Sequence, residues 1–175
     1  MQLSKLIIFS ILTVSTTVIK AQQIQWEADR PLTWKDFKGK PGRASAATSS
    51  SIIYDYNAQT IDSVTYFITF NFKCVFNAEW SYVRTREHQS PDLLAHEQTH
   101  FDITELYTRK LAAAFHAATF TRNYKSEIED IYKKNAEENR LMVVRYDKEV
   151  YRSMNMQLRW QLYIYLQLKA LPRNY

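Results

Sequence analysis

The chain divides at Ser90-Pro91-Asp92, and that division limits the folds open to it. Ser is a favoured N-cap, Pro fits the first helical position because its missing N–H has no partner there anyway, and Asp suits the first turn. From Leu93 to about Ala118 apolar residues recur at helical spacing. A second helical stretch, with room for a break, covers about Ser126 to Leu168, and Pro172 lies beyond it. Upstream the pattern is strand-like. Ser51–Tyr56 is rich in Ile and Tyr, and Ser63–Phe76 is dense in β-branched and aromatic residues. Within the latter, Phe70-Asn71-Phe72-Lys73-Cys74 alternates with the period of a half-buried strand. Asn57-Ala58-Gln59 is expected to begin the connection between these strands, and Trp80–Arg84 to add a short one. Lys38–Arg43 reads as a loop, and Ala44–Ser50 as a loop or the lead-in to a strand. Strands first and helices second predict an α+β fold, with N-terminal antiparallel strands followed by two long helices.

Composition narrows the class. Hydrophobic residues at 46% and charged residues at 23% of a 175-residue chain argue for a packed core rather than disorder. Two glycines and four prolines exclude collagen-like and low-complexity chains. Both glycines sit in one short loop with no phosphate-binding pattern. The single cysteine, Cys74, excludes an internal disulfide and a Cys-based metal cage; in its apolar run it reads as a buried, inert thiol.

Met1–Ala21 reads as a signal peptide. Lys5 gives the positive start, Leu6–Leu12 carries the short apolar run, and Ala21 offers a small residue for cleavage. Ser and Thr interrupt the run well short of the ~20 residues a spanning helix needs. The expected product is a secreted or periplasmic chain of one domain, 22–175, with no stable membrane insertion. Losing Lys5 and Lys20 and no acid lowers the formal charge from +5 to +3. The surplus is spread along the chain, so no nucleic-acid partner is expected.

His96-Glu97-Gln98-Thr99-His100 matches H-E-x-x-H. On a helix, positions i and i+4 lie one turn apart on one face, so both imidazoles can reach one Zn²⁺. Glu97, rotated by about 100°, is placed to take a proton from a water rather than to bind the metal. Leu93, Ile103, Tyr107, Leu111, Ala114 and Phe115 gather on the side of the two histidines; Gln98, Asp102, Glu105 and Arg109 fall opposite. Two buried neutral histidines could be satisfied core residues, but this spacing with Glu between them favours a metal and a zincin-like active-site helix.

A catalytic zinc needs a third protein ligand and one open position. Asp102 and Glu105 face away, His116 lies about 24 Å along the axis, and His88 precedes the helix. Glu149 is the preferred candidate, since Met142, Tyr146, Ser153, Met156, Trp160 and Ile164 share its face, and a carboxylate in an apolar stripe needs a partner. Its alternative is a salt bridge to Arg145 or Arg152. Asp147 points about 160° away and is the weaker candidate. Tyr146 or Arg152, near Glu149, could steady a tetrahedral intermediate.

Several strings resemble a bacterial family. Leu32–Gly39 (LTWKDFKG), Leu93–Ile103 around the metal motif, and Tyr146-Asp147-Lys148-Glu149 with Gln157 and Trp160 are similar to the domain of unknown function 922 family, described as predicted secreted zinc-dependent proteases. The resemblance runs from about Ile24 to Trp160. It implies a secreted zinc hydrolase with His96 and His100 as ligands and Glu97 as base, and no particular substrate. The family's last block continues with a Thr and a His after the acidic residue, where this chain has Val150 and Arg152. An Arg there could bind a substrate carboxylate or an oxyanion.

Together these readings predict a zinc metallopeptidase acting on peptides or proteins laid along a strand edge. The alternative is a secreted binding module with a structural or vestigial zinc site; a metal-free structural domain ranks last.

Overall fold

A computed structural model describes residues 22–62, 65–173 and 175 of the chain. The expected signal peptide, Met1–Ala21, and Ser63-Val64 at the start of the expected second strand lie outside the described residues. The strands are β1 (Gln23–Gln25), β2 (Ala46–Ala47), β3 (Ser50–Thr60), β4 (Thr65–Asn77), β5 (Tyr82–Val83) and β6 (Phe120–Thr121); the helices are α1 (Pro91–Ala117), α2 (Tyr124–Val150) and α3 (Met154–Ala170). The α+β class is as expected from the sequence. The helical half differs in having three helices, because the second stretch breaks at Tyr151-Arg152-Ser153.

β3 and β4 form a long antiparallel hairpin, in register from Ser50 opposite Phe76 to Thr60 opposite Tyr66. Asn57-Ala58-Gln59 lies inside β3, paired with Thr69, Ile68 and Phe67, and does not begin the connection. Cross-strand pairing overrides the weak turn preference of one Asn. β1 and β6 pair with opposite ends of β4, and β2 pairs with β5. Of the expected Trp80–Arg84 strand only Tyr82–Val83 pairs, since Ala78–Trp80 forms a 3₁₀ turn.

Phe72, Cys74 and Phe76 alternate onto the buried face of β4, and α1 lies across it. α2 and α3 pack on the other side of α1. α1 is therefore enclosed nearly all round. This explains why its polar side is buried as well as its apolar side, with Glu105 fully buried and Arg109 nearly so. Arg109 Nε donates to Glu105 Oε1 at 2.8 Å, and Nη1 donates to the Leu168 and Leu171 carbonyls that end α3. The start of α1 matches its sequence signal: Ser90 Oγ accepts the Leu93 N–H at 3.1 Å, with Pro91 in the first turn.

The LTWKDFKG string is a clasp. Asp36 accepts the Thr33 N–H at 2.7 Å and pairs with Arg30 at 2.8 Å. The Leu32 N–H donates to Gln98 Oε1 at 2.7 Å, fastening the segment to α1 between the two histidines of the motif. Gly39 N–H donates to the Ser81 carbonyl at 2.8 Å, and a Cβ on Gly39 would stand 2.9 Å from the Glu79 and Ser81 carbonyl oxygens. Only glycine permits that approach.

Candidate metal centre

Helical pitch brings the two histidines together. His96 Nε2 and His100 Nε2 stand 3.1 Å apart, and Asp147 Oδ1 of α2 lies 3.4 Å from the first and 3.0 Å from the second. Donors about 2.0–2.1 Å from a tetrahedral zinc are spaced about 3.3–3.4 Å from one another. The three atoms thus approximate one face of such a tetrahedron, and the fourth position is left to solvent or substrate. Hydrogen bonds among the three can satisfy them only if a ring nitrogen carries a proton between acceptors, whereas one divalent ion serves all three lone pairs. Among the described residues this is the cluster of His, Cys, Asp and Glu able to hold a metal ion.

The rings are held from below. Tyr146, fully buried, stacks on His96 with centroids 4.9 Å apart and planes at 23°, and meets His100 edge-on at 5.1 Å. Its hydroxyl donates to the His96 carbonyl at a long 3.4 Å. Burial, with the charges of Asp147 and Glu97 nearby, pushes the Tyr146 phenol well above its ordinary range. The next residue, Asp147, emerges at the rim with half its side chain exposed. Its partial burial opposes ionisation, but hydrogen bonds from His100 and His96 overcome that and hold the carboxyl well below the usual carboxylate range.

Glu149 does not join the cluster. Its Oε1 accepts from Arg145 Nε at 2.7 Å and its Oε2 from Trp160 Nε1 at 2.9 Å, with the Arg145 guanidinium 5.4 Å over the Trp160 ring. The ligand reading of Glu149 is therefore corrected to the ion-pair alternative, and the acid that stands beside the two histidines is Asp147. The physical reason lies around Tyr146, which points straight at α1. Asp147 and Glu149 flank it on opposite sides of α2, about 100° and 60° away. The histidines lie on the Asp147 side and α3 on the Glu149 side. The apolar stripe assigned to Glu149 ran through Ser153, Met156, Trp160 and Ile164, which belong to α3 and not to a continuation of α2.

Tyr146 and Arg152 both border the cluster, in different ways. The Tyr146 hydroxyl is engaged by the His96 backbone carbonyl and by Thr99. Arg152 forms the break between α2 and α3 at φ 56°, a left-handed backbone unusual for a non-glycine residue. It lies across the Tyr151 ring at 5.0 Å. It does line, with His96, Asp147, Leu93 and Tyr151, a cavity of about 410 Å³. Glu97 is buried, and one of its carboxylate oxygens has no hydrogen-bond partner among the described residues. Its carbonyl accepts from Thr48 Oγ1 at 3.2 Å. Cys74 is fully buried, and burial raises its thiol well above the ordinary range, as expected of an inert cysteine.

No family model, curated protein or solved structure matches the chain. The family resemblance rests on the quoted strings alone.

Gln98 and Asp102 carry roles the sequence reading missed. Gln98 Nε2 and Trp26 Nε1 both donate to Asp102 Oδ1, at 2.8 and 2.7 Å, which clamps the N-terminal segment to the outer side of the motif helix. Their grouping on one helix face was visible in the sequence; that the face is covered was not.

Proposed function

We propose that this chain is a zinc-dependent hydrolase, a metallopeptidase in which His96, His100 and Asp147 hold the metal and Glu97 is the general base. The observation that supports this most is the count of converging donors. Structural zinc sites close with four protein ligands, whereas hydrolytic sites use three and keep a position open. Two His and one carboxylate suit zinc as a donor set. When bound, zinc supplies Lewis acidity at an oxygen and lowers the pKa of water towards ~7.

The chain's own residues have separate tasks in this reading. The Tyr146 ring fixes both imidazoles, so little ordering remains when the ion arrives. Glu97 takes the proton of the attacking water and passes it to the leaving amine. Its buried oxygen without a partner supports that role, since a carboxylate tied up in an ion pair would be a weaker base. The cavity beside His96 and Asp147 receives an extended peptide segment. The Met1–Ala21 reading places the activity outside the cytoplasm.

The test is Glu97→Gln in purified protein, with zinc content and turnover of an unstructured protein substrate measured together. Retained zinc with lost turnover is expected. Unchanged turnover removes Glu97 as base. A zinc-loaded wild type with no turnover favours the binding-module alternative.

A further inference from the structure

We propose that α3 is an interfacial helix that seats this protein on an anionic lipid bilayer. The inward side of α3 carries Trp160, Ile164 and Gln157, all buried. On the outward side Met154, Leu158, Leu162, Tyr165 and Leu166 are exposed, Leu162 at 58%. Taking Leu158 as origin, these five span an arc of about 120° at 100° per residue, from the start of the helix to Leu166. Isolated exposed apolar residues are ordinary, but a stripe of this length on one element marks a docking face.

Charge decides what docks. α3 contains Arg159 and Lys169 and no acidic residue. Arg159 falls about 100° from Leu158 and Lys169 about 20° from it. Among the described residues neither is in an ion pair, and the Lys169 ammonium lies 5.5 Å over the Tyr165 ring. Long cationic side chains beside Leu and Tyr are the composition of a helix lying in the headgroup region, with the stems buried and the charges against lipid phosphates. A second copy fits less well. An α3-to-α3 dimer would put four cations on the paired helices with no acid from either helix to compensate. This is surface seating: among the described residues no helix is long and apolar enough to cross a membrane. The inference does not depend on the metal reading, although seating α3 would bring Tyr151 and Arg152, which precede it, to the lipid surface.

The experiment is co-sedimentation of the chain from Gln22 onward, which contains every element described above. Vesicles of phosphatidylcholine alone are compared with phosphatidylcholine mixed with phosphatidylglycerol. Binding to the anionic vesicles, weakened by salt, is expected. Leu158→Glu with Leu162→Glu should abolish it; both positions are more than half exposed, so circular dichroism should report an intact fold. Arg159→Gln with Lys169→Gln should lower partitioning about thirty-fold, from the usual contribution of two cations at an anionic surface. No sedimentation with anionic vesicles overturns the proposal. So does binding that ignores lipid charge, or a dimer in light scattering that Leu158→Glu with Leu162→Glu dissolves.

Discussion

Asp147→Ala and Glu149→Gln separate the proposed metal ligand from its near neighbour. Asp147 Oδ1 reaches both imidazoles, at 3.4 and 3.0 Å, and a hydrogen bond to a charged group contributes about 1.5–3 kcal/mol when buried. Its side chain is 51% exposed, so solvent screens these contacts towards the surface-pair range of about 1 kcal/mol or less. Metal-free Asp147→Ala should therefore unfold within about 1 kcal/mol of the wild type. Its zinc affinity should fall much further. Removing an outer partner of a zinc ligand already costs ~10–100-fold. Removing one of three direct donors should cost at least the upper end, about 100-fold or ~2.8 kcal/mol. Glu149→Gln should leave zinc affinity unchanged, because the contacts of Glu149 are with Arg145 and Trp160. The assay is competition for zinc against a chromophoric chelator, with urea unfolding of the metal-free proteins alongside. Wild-type affinity in Asp147→Ala, or a loss in Glu149→Gln equal to it, would refute the assignment.

Three further outcomes follow from the same geometry. Tyr146→Phe should cost about 1 kcal/mol in denaturant unfolding, because it deletes the long 3.4 Å bond to the His96 carbonyl and the hydroxyl's contact with Thr99, whereas Tyr146→Ala should cost ~3–5 kcal/mol, as for other buried aromatics. Lost turnover in Tyr146→Phe with stability and zinc intact would return the hydroxyl to the reaction. For Asp102, burial pushes the carboxyl above its ordinary value despite the bonds from Trp26 and Gln98. A folded pKa above the unfolded one means a contribution fully present below the unfolded value, about 3.9, and lost as pH rises through the folded pKa. Asp102→Asn should thus gain on the wild type as pH rises through that window in urea titrations; a widening deficit contradicts the burial argument. Arg152→Gly should be close to neutral, since relief of a left-handed residue, ~1 kcal/mol, offsets the added chain entropy, ~0.4–1 kcal/mol. A loss of about 1 kcal/mol, the cost of glycine in a helix interior, would contradict the break.

The legible parts of this protein were those written within a few residues. The N-cap at Ser90, the i, i+4 histidines and the alternation through Phe72, Cys74 and Phe76 each depend on local periodicity, and each appears as expected. The interruption at Tyr151-Arg152-Ser153 was only loosely legible because no Gly or Pro marks it. Its local signal is Ser153, whose Oγ accepts the Met156 N–H at 3.4 Å as the N-cap of α3. The roles of Gln98, Asp102 and Arg109 were hidden for a different reason. A helix wheel ranks faces by polarity, and α1 is covered on both sides, so its polar face is buried among partners distant in sequence.

The exchange of Glu149 for Asp147 shows how one misplaced boundary moves a candidate site. With a continuous helix, Trp160 and Ile164 extend the Glu149 face and make it the apolar stripe in need of a charged partner. With α2 ending at Val150, those residues turn back on α3. Trp160 then meets Glu149 as a hydrogen-bond donor, so the demand for a metal at Glu149 disappears. Tyr146 becomes the centre of the buried face, and the shorter acid beside it, at the rim, is the one whose reach matches the two imidazoles. A metal ligand needs a solvent path for its ion as well as a rigid base. Asp147, half exposed next to a fully buried Tyr146, meets both conditions, whereas the two carboxylate oxygens of Glu149 are taken up by Arg145 and Trp160.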